Sequence, residues 1–364
     1  MNHSLSLSVV IPTTGRNLDQ LKECLTSVFE ARQTERLQEI IIAGNGLPAE
    51  SAARVRELMT TISVPESLTS KLRLHCFPDK EDSIAKSWNR AFELAHADYV
   101  HFLHDDDRVG SSFYARNMEV IERDGPDLLF CGAEQFGAKS GIVLWRGRKR
   151  GQNGFLDNGE RKEHVTQRYE IPCPTAIYRT SVWKELHGWD GLYGFACDQA
   201  YFFDAMMSGQ RIYAVQEPLY LYRLHEESAT SQVTRGCNLL MEILMLQAYA
   251  RLYRESPEES LLAEAADHIA TYYYDGQLKA RQRGLQKTGI KMLRSLVKRS
   301  RLLRRVLLVF SPMLRTFLDW YLRAIETSDP VLLRLDCRNL PHVSFQRFVD
   351  EWGENLARGR ANLG

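Results

Sequence analysis

Short apolar strands alternate with helical patterns through the first hundred residues, and this alternation constrains the fold more than any other feature. Strand-like runs cover residues 7–12, 39–46, 72–77 and 98–104, and the first of them is rich in β-branched residues. Apolar residues at helical spacing separate these runs, and the first helix follows an N-cap at Asn17. Strands separated by helices need crossover connections and therefore pair in parallel. The sequence predicts an α/β fold with a mostly parallel central sheet flanked by helices. Beyond residue 125 the polar, glycine-rich stretch 146–160 predicts a loop, and further strands are predicted near residues 127–133, 142–145, 173–178, 211–215 and 219–225.

Three consecutive aspartates, Asp105, Asp106 and Asp107, lie directly after the fourth of these predicted strands. Adjacent like charges repel each other, and a carboxylate without a partner is costly to bury. A solvated turn is one interpretation of the run. Ligands of open α/β sheets collect at the carboxyl ends of the strands, however, and Mg²⁺ and Mn²⁺ prefer carboxylate oxygens. The position of the run therefore favours a cation site.

The 364-residue chain has room for two domains, and its charge is distributed unevenly. Residues 276–318 contain twelve of the 47 Lys and Arg residues and no Asp or Glu. We expect a first domain at residues 1–235 and a helical, basic C-terminal region at residues 236–364. The seven cysteines are scattered without a C-x-x-C pair, which indicates neither a zinc site nor a disulfide framework. This cysteine usage fits a reducing, cytoplasmic location.

Apolar residues are interleaved with the basic ones in residues 276–318, a mixture typical of helices that lie at an anionic membrane surface. The alternative is a helical cap whose apolar stripe packs on the first domain or on a second subunit, as in a homo-oligomer. No recognised nucleic-acid-reading module accompanies the charge, so we expect no nucleic-acid partner. No stretch approaches the roughly 18 apolar residues of a membrane span. Attachment would therefore be peripheral, at the inner face of the cytoplasmic membrane.

Four stretches of this sequence, in order across residues 6–232, resemble glycosyltransferase family 2, whose members have the Rossmann-like GT-A fold. They are SVVIPTTGR (8–16), DSIAKSWNRAFELAHADYVHFLHDDD (82–107), KELHGWDGLYGFACDQAYFFDAMMSG (184–209) and EPLYLYRLHEESATS (217–231). The resemblance implies an inverting glycosyltransferase that moves a sugar from a nucleotide-diphospho-sugar donor to a hydroxyl acceptor. It also implies a glycan or lipid-linked glycan as acceptor, in the synthesis of bacterial surface polysaccharide.

The resemblance also implies roles for individual residues. The nucleotide would be bound by residues that follow three of the strands: Pro12, Thr13, Arg16, Asn45, His104, Asp105 and Asp106. Mn²⁺ or Mg²⁺ would be held by Asp106, Asp107 and His225 and would stabilise the charge of the leaving diphosphate. Asp198 would be the catalytic base, because apolar surroundings raise the pKa of a carboxyl group towards the working pH. The alternative for Asp198 is that it caps the following helix. The alternatives for the other residues are structural: His104 would fill the end of its strand, His225 would have a structural role after its strand, and Thr13 and Arg16 would lie in a solvated loop.

Three positions depart from the family pattern. Gly44-Asn45-Gly46-Leu47 replaces the usual Asp-Asp-Gly-Ser, His104 replaces the first aspartate of D-x-D, and Cys197-Asp198 replaces Glu-Asp. The Asn45 amide still has both a donor and an acceptor for a base. Asp105 and Asp107 also satisfy D-x-D, so the register of the motif is open. Two alternatives remain: a degenerate GT-A domain that serves as a membrane-associated scaffold, and a sugar nucleotidyltransferase, whose glycine-rich opening the sequence PTTGRN lacks.

Overall fold

The computed structural model describes residues 5–137, 141–143, 152–166, 171–191 and 197–224. Its strands are β1 (Leu7–Thr13), β2 (Leu37–Gly44), β3 (Leu72–Cys76), β4 (Tyr99–Phe102), β5 (Arg108–Val109), β6 (Leu128–Gly137), β7 (Gly141–Val143), β8 (Gly154–Phe155), β9 (Ala176–Arg179) and β10 (Ile212–Leu224). Its α-helices are α1 (Leu18–Glu30), α2 (Ala49–Thr61), α3 (Glu66–Thr69), α4 (Ile84–Phe92), α5 (Phe113–Asp124), α6 (Asn158–Thr166), α7 (Thr180–Glu185) and α8 (Cys197–Met207). Short 3₁₀ turns cover Thr34–Arg36 and Cys173–Thr175.

One sheet joins all the described strands, in the order β3-β2-β1-β4-β9-β6-β10-β5, with β7 beside β6 and β8 beside β10. The ladders between β1, β2, β3 and β4 are parallel, and β6 pairs in parallel with β10. Strand β9 is antiparallel to both of its neighbours, so β4 and β6 run in the same direction on either side of it. The predicted α/β fold with a mostly parallel central sheet flanked by helices is therefore confirmed.

The centre of the sheet is buried on both faces, as expected for parallel strands covered by helices. Val9, Val10 and Ile11 of β1 are fully buried, and so is the run Ile40–Ile42 of β2. Continuous apolar runs of this kind were the main signal for these strands in the sequence. Because the two strands are parallel neighbours, their carboxyl ends lie side by side at one edge of the sheet.

Helix α1 begins where its capping residue predicts. The Asn17 side chain accepts a hydrogen bond from the Gln20 backbone N–H at 3.2 Å, which satisfies one of the free donors of the first turn. Below this cap, four apolar side chains at helical spacing are fully buried: Leu21, Cys24, Leu25 and Val28. This helix packs next to β5 and carries Glu23, which pairs with Arg108 of that strand near the candidate site described below.

A cluster of aromatic rings anchors helix α4 to the segment before residue 191. The Phe92 and Trp183 rings stack with centroids 4.0 Å apart, and Trp189 contacts Trp88 and Phe102. Two hydrogen bonds, 2.8 and 2.9 Å long, join the Asn89 amide to the backbone oxygen and nitrogen of Trp189. The aromatic cluster thereby holds α4 against the end of β4, directly below the aspartate run.

Several elements differ from the sequence-based expectations. The two strands predicted near residues 211–215 and 219–225 form one strand, β10, whose register against β6 shifts around Pro218. The strand predicted near 173–178 begins as a 3₁₀ turn, and helix α5 was not predicted at all. The glycine-rich stretch 146–160 was predicted as a loop, but its described part includes β8 and the start of α6.

The predicted domain boundary at residue 235 and the helical region 236–364 lie outside the described residues, so both remain predictions. None of the helices within the described ranges combines the length and the apolar character that a membrane crossing requires.

Candidate active site

The candidate site lies where the carboxyl ends of β1, β2 and β4 meet. The Thr13 hydroxyl, at the end of β1, donates a 2.5 Å hydrogen bond to Oδ2 of Asp105 and accepts one from the Gly15 N–H at 3.0 Å. The Thr13 carbonyl accepts a 2.9 Å hydrogen bond from the Asn45 N–H. Three of the predicted nucleotide-binding residues, Thr13, Asn45 and Asp105, are thus adjacent. A side-chain bond links the loops that follow β1 and β4.

The Asn45 side chain links two loops. Its amide donates to the Glu81 carbonyl and accepts from the Glu81 N–H, both at 2.9 Å, and its oxygen also contacts the Arg90 guanidinium. The Arg90 guanidinium lies over the Phe77 ring, 4.3 Å from the centroid. Sequence reasoning missed Phe77, Glu81 and Arg90, since none of them stands out in a local pattern. Asn45 therefore shapes the rim of the site through its contacts with these residues.

His104, Asp106 and Asp107 form the one cluster of potential metal ligands found within the described residues. Each offers one ligand atom, and these atoms lie within 4.8 Å of one another. The His104 Nε2 atom is buried and has no hydrogen-bond partner among the described residues. Burial lowers the pKa of His104, and the nearby Asp106 carboxylate opposes this shift. A neutral imidazole beside two carboxylates is a ligand set that fits a divalent cation.

Asp107 lies at the base of the cluster, with only 1% of the residue exposed. Its Oδ2 accepts a 2.9 Å hydrogen bond from the Tyr220 hydroxyl, and its Oδ1 accepts a 2.7 Å bond from the Arg223 N–H. Burial raises the pKa of Asp107 well above its ordinary value, and Asp106 raises it further. Asp107 thus anchors β10 to the aspartate run, and its oxygens retain lone pairs for a cation.

Arg223 connects the aspartate run to Glu23 of α1. The Arg223 Nε donates to the Asp106 carbonyl at 2.6 Å, and its guanidinium pairs with Glu23. Glu23 also pairs with Arg108, whose Nε lies 3.1 Å from Oε2. The hydrogen bond from Arg108, followed by that from Arg223, lowers the pKa of Glu23. Sequence reasoning missed this cluster of Glu23, Arg108 and Arg223.

Asp198, the predicted base, is half-buried in the first turn of α8. Its Oδ1 accepts from the Gln199 N–H at 2.8 Å, and its Oδ2 accepts from the Gln199 amide at 3.2 Å. The Gln199 amide is held by the backbone of Ile171, to which it donates at 2.8 Å. An N-cap precedes its helix and accepts from an N–H two or three residues further on, so the bond from the adjacent Gln199 N–H is not an N-cap bond. The two bonds from Gln199 orient the Asp198 carboxylate.

The remaining predicted residues have simpler surroundings. Pro12 is half-buried near the end of β1, opposite Ala43 of β2. Arg16 is exposed on the loop that follows β1. His225, the third predicted metal ligand, lies outside the described residues, one position beyond the end of β10.

Comparisons with known proteins agree with this geometry. Residues 8–186 match the family model described as Glycosyl transferase family 2. The "Uncharacterized glycosyltransferase EpsJ" of Bacillus subtilis is 23% identical over 231 residues, and the match spans 62% of this chain and 62% of that relative. S. aureus TarS 1–349 in complex with UDP-GlcNAc has a TM-score of 0.60 at 15% identity, covering 88% of this chain and 92% of that one. The mannosyltransferase PcManGT from Pyrobaculum calidifontis, in complex with GDP-Man and Mn²⁺, has a TM-score of 0.51 at 14% identity and covers 88% of each chain.

Proposed function

Because this chain belongs to glycosyltransferase family 2 and has its GT-A fold, we propose that it is an inverting, metal-dependent glycosyltransferase. It would move a sugar from a nucleotide-diphospho-sugar to a hydroxyl acceptor. The observation that carries this proposal is the grouping of His104, Asp106 and Asp107 next to the contact between Thr13 and Asp105. Carboxylates at the carboxyl edge of such a sheet would hold a divalent cation, which would stabilise the charge of a diphosphate.

The donor would lie along the ends of β1, β2 and β4. We assign the nucleotide to the residues around this edge: Pro12, Thr13, Arg16, Asn45, His104, Asp105 and Asp106. The two structural neighbours with bound UDP-GlcNAc and GDP-Man support a nucleotide-sugar donor, and one of them contains Mn²⁺. Asp106, Asp107 and His225 would hold the cation, either Mn²⁺ or Mg²⁺. When bound, the cation would stabilise the negative charge that develops on the leaving diphosphate.

The residues of the chain would then perform one displacement. The acceptor oxygen attacks the anomeric carbon, the bond from that carbon to the diphosphate oxygen breaks, and the nucleoside diphosphate leaves. Asp198 takes the proton of the acceptor hydroxyl as the new bond forms. A single displacement inverts the configuration of the anomeric carbon. The bonds from Gln199 would keep the Asp198 carboxylate in one orientation during this step.

We further propose that the acceptor is a glycan or lipid-linked glycan in bacterial surface polysaccharide synthesis. The bacterial sources of two of the similar proteins support this assignment. The basic residues at 276–318 support a cytoplasmic protein attached to the inner face of an anionic membrane, where a lipid-linked acceptor would be found.

Hydrolysis of UDP-, GDP- and dTDP-sugars with and without Mn²⁺ tests this function. We expect metal-dependent release of nucleoside diphosphate from one donor class, and loss of this release in Asp106→Ala. The matched control is Asp82→Ala, since Asp82 is exposed and pairs with Lys80. Turnover near the wild-type rate in Asp106→Ala would contradict the proposed site.

The same assay separates the two alternatives. A degenerate scaffold would hydrolyse none of the donors with either Mn²⁺ or Mg²⁺. A sugar nucleotidyltransferase would instead release pyrophosphate from a nucleoside triphosphate when a sugar phosphate is supplied.

A further inference from the structure

His104 lies just after the end of β4, between two aromatic rings and two hydrogen-bond donors. Its ring lies 5.1 Å from the Trp88 ring and 6.3 Å from the Phe102 ring, measured between centroids. Its backbone carbonyl accepts from Cys24 Sγ at 3.4 Å and from the Asp107 N–H at 3.3 Å. Both the ring and the backbone of His104 therefore have contacts within the protein.

The imidazole lacks a protein partner where one is expected. The Nε2 atom is buried without a hydrogen-bond partner among the described residues. A buried polar atom of this kind is costly, and in native structures it usually has a partner such as ordered water or an ion. A ring nitrogen of His104 also lies within 4.8 Å of a carboxylate oxygen from each of Asp106 and Asp107. The His104 imidazole and the two carboxylates therefore lie close enough together to serve as ligands of one ion.

We propose that His104 donates a ring nitrogen directly to the divalent cation, and that the site therefore prefers Mn²⁺ over Mg²⁺. Mg²⁺ favours all-oxygen octahedral coordination, whereas imidazole is a good ligand for later first-row metals. This inference rests on the proposed function, because it concerns the cation of the same site. It changes the assignment of His104 from the nucleotide to the metal.

Electron spin-echo spectroscopy of Mn²⁺ bound to the full-length protein tests the inference, because it detects a ¹⁴N nucleus bonded to the ion. The resemblance places a second imidazole, His225, at the metal, so the comparison is made in a His225→Gln background. We expect ¹⁴N coupling in His225→Gln and its loss in His225→Gln/His104→Asp. His96→Gln is the control, because His96 is largely exposed and pairs with Glu39.

Metal competition provides a second readout. His104→Asp supplies an oxygen ligand in place of nitrogen, so Mg²⁺ binding should persist while the preference for Mn²⁺ falls at least about 10-fold. His104→Asn tests the same loss of imidazole without adding a charge, should the aspartate variant fold poorly. The melting temperatures of both variants, compared with that of the wild type, show whether the fold is retained.

The possible results distinguish the inference from the proposed function. Unchanged ¹⁴N coupling and an unchanged Mn²⁺ preference in both His104 variants would overturn the inference and leave the aspartates as the metal site. Weaker UDP or GDP binding by the His104 variants, with unchanged Mn²⁺ binding, would overturn the inference and support His104 as a nucleotide-binding residue. Absence of Mn²⁺ binding by the wild-type protein, with or without UDP or GDP, would contradict both this inference and the metal-dependent function.

Discussion

Two roles were predicted for Asp198, catalytic base and helix cap, and a single substitution separates them. Asparagine keeps the size of the side chain and is as good an N-cap as aspartate, but it does not accept a proton. We predict that Asp198→Asn lowers kcat by about 10²- to 10⁴-fold, with little change in the affinity for the donor. Steady-state kinetics and the melting temperature measure the two roles independently. A kcat close to the wild-type value would leave Asp198 as a helix cap only.

His101 couples the stability of the fold to pH. Burial lowers its pKa to about 3, and its ring nitrogens lie 3.2 Å from the Tyr114 hydroxyl and 2.9 Å from the Pro174 carbonyl. An unfolded histidine has a pKa of about 6.5, so below that pH the unfolded chain binds a proton that the folded chain does not. The stability associated with neutral His101 is therefore complete above about pH 6.5 and decreases as the pH falls towards 3.

We predict that His101→Gln reduces the dependence of stability on pH. The contribution from His101 approaches about 1.4 kcal/mol per pH unit below its unfolded pKa. Urea unfolding between pH 5 and 7.5 measures this slope in the wild type, in His101→Gln and in the control His75→Gln on β3. Parallel slopes for all three proteins would show that His101 does not carry this proton linkage.

Residues with local signals were the ones that sequence reasoning could identify. The cap at Asn17 depends on residues three positions apart, and the aspartate run is visible without any structure. The contact between Glu23 and Arg223 joins residues 200 positions apart, so no local pattern reveals it. The predicted roles of Asp198 as base, of Arg16 as nucleotide contact and of His225 as metal ligand remain predictions. They depend on ligands or on residues outside the described structure.

At the scale of elements, one carboxylate connects α1 to the cluster of potential metal ligands. Glu23 pairs with Arg223, which donates to the Asp106 carbonyl, and with Arg108 of β5. Removing this charge would let the Arg223 guanidinium move and would loosen the aspartate run. Because the Glu23 side chain is 41% exposed, its ion pairs with Arg108 and Arg223 should contribute little to the free energy of unfolding.

We predict that Glu23→Gln weakens Mn²⁺ binding by roughly 10-fold, the lower end of what outer partners of metal ligands contribute. The melting temperature should change little. Glu30→Gln is a matched control, because Glu30 is exposed at the end of the same helix. Calorimetric titration of Mn²⁺ measures the effect. Equal affinities in the two variants would show that the cluster around Glu23 does not position the metal ligands.

The predicted elements were most accurate where apolar runs are continuous. Strands β1 and β2 were predicted within about three residues, because parallel buried strands give uninterrupted apolar sequences. Strand β10 was predicted as two strands because Pro218 lacks an N–H and usually ends a strand. In the structure the register shift around Pro218 accommodates the proline while the strand continues. Strand β5 contains two residues, too few for any periodicity to be read.

At the scale of the whole molecule, the parallel sheet brings together residues that are far apart in the sequence. Thr13, Asn45 and Asp105 are adjacent only because β1, β2 and β4 are neighbours with the same direction. The sequence predicted the parallel direction of these strands from the helices between them. It did not predict the order of the strands or the antiparallel β9 between β4 and β6, because both follow from packing across the whole sheet.

The basic C-terminal region gives the whole molecule an uneven charge, and its role is testable in the full chain. We predict that the protein binds anionic but not neutral vesicles, and that salt weakens this binding. Each Lys or Arg close to an anionic surface contributes at most about 1 kcal/mol, so the effect of several must be tested together. Replacing Lys298, Arg299, Arg301, Arg304 and Arg305 with Gln should therefore reduce co-sedimentation with vesicles strongly.

The control for this prediction neutralises the same number of basic residues elsewhere. Five exposed side chains of the described structure serve this purpose: Arg32, Arg54, Arg56, Lys86 and Lys184. If charge alone governed attachment, both variants would lose binding equally, which would contradict a specific role for the C-terminal region. If neither variant changed co-sedimentation and sedimentation velocity showed a dimer, the apolar stripe of this region would instead pack on a second subunit. Loss of binding in the C-terminal variant alone is the expected result, because only there are cationic and apolar residues interleaved over a continuous stretch.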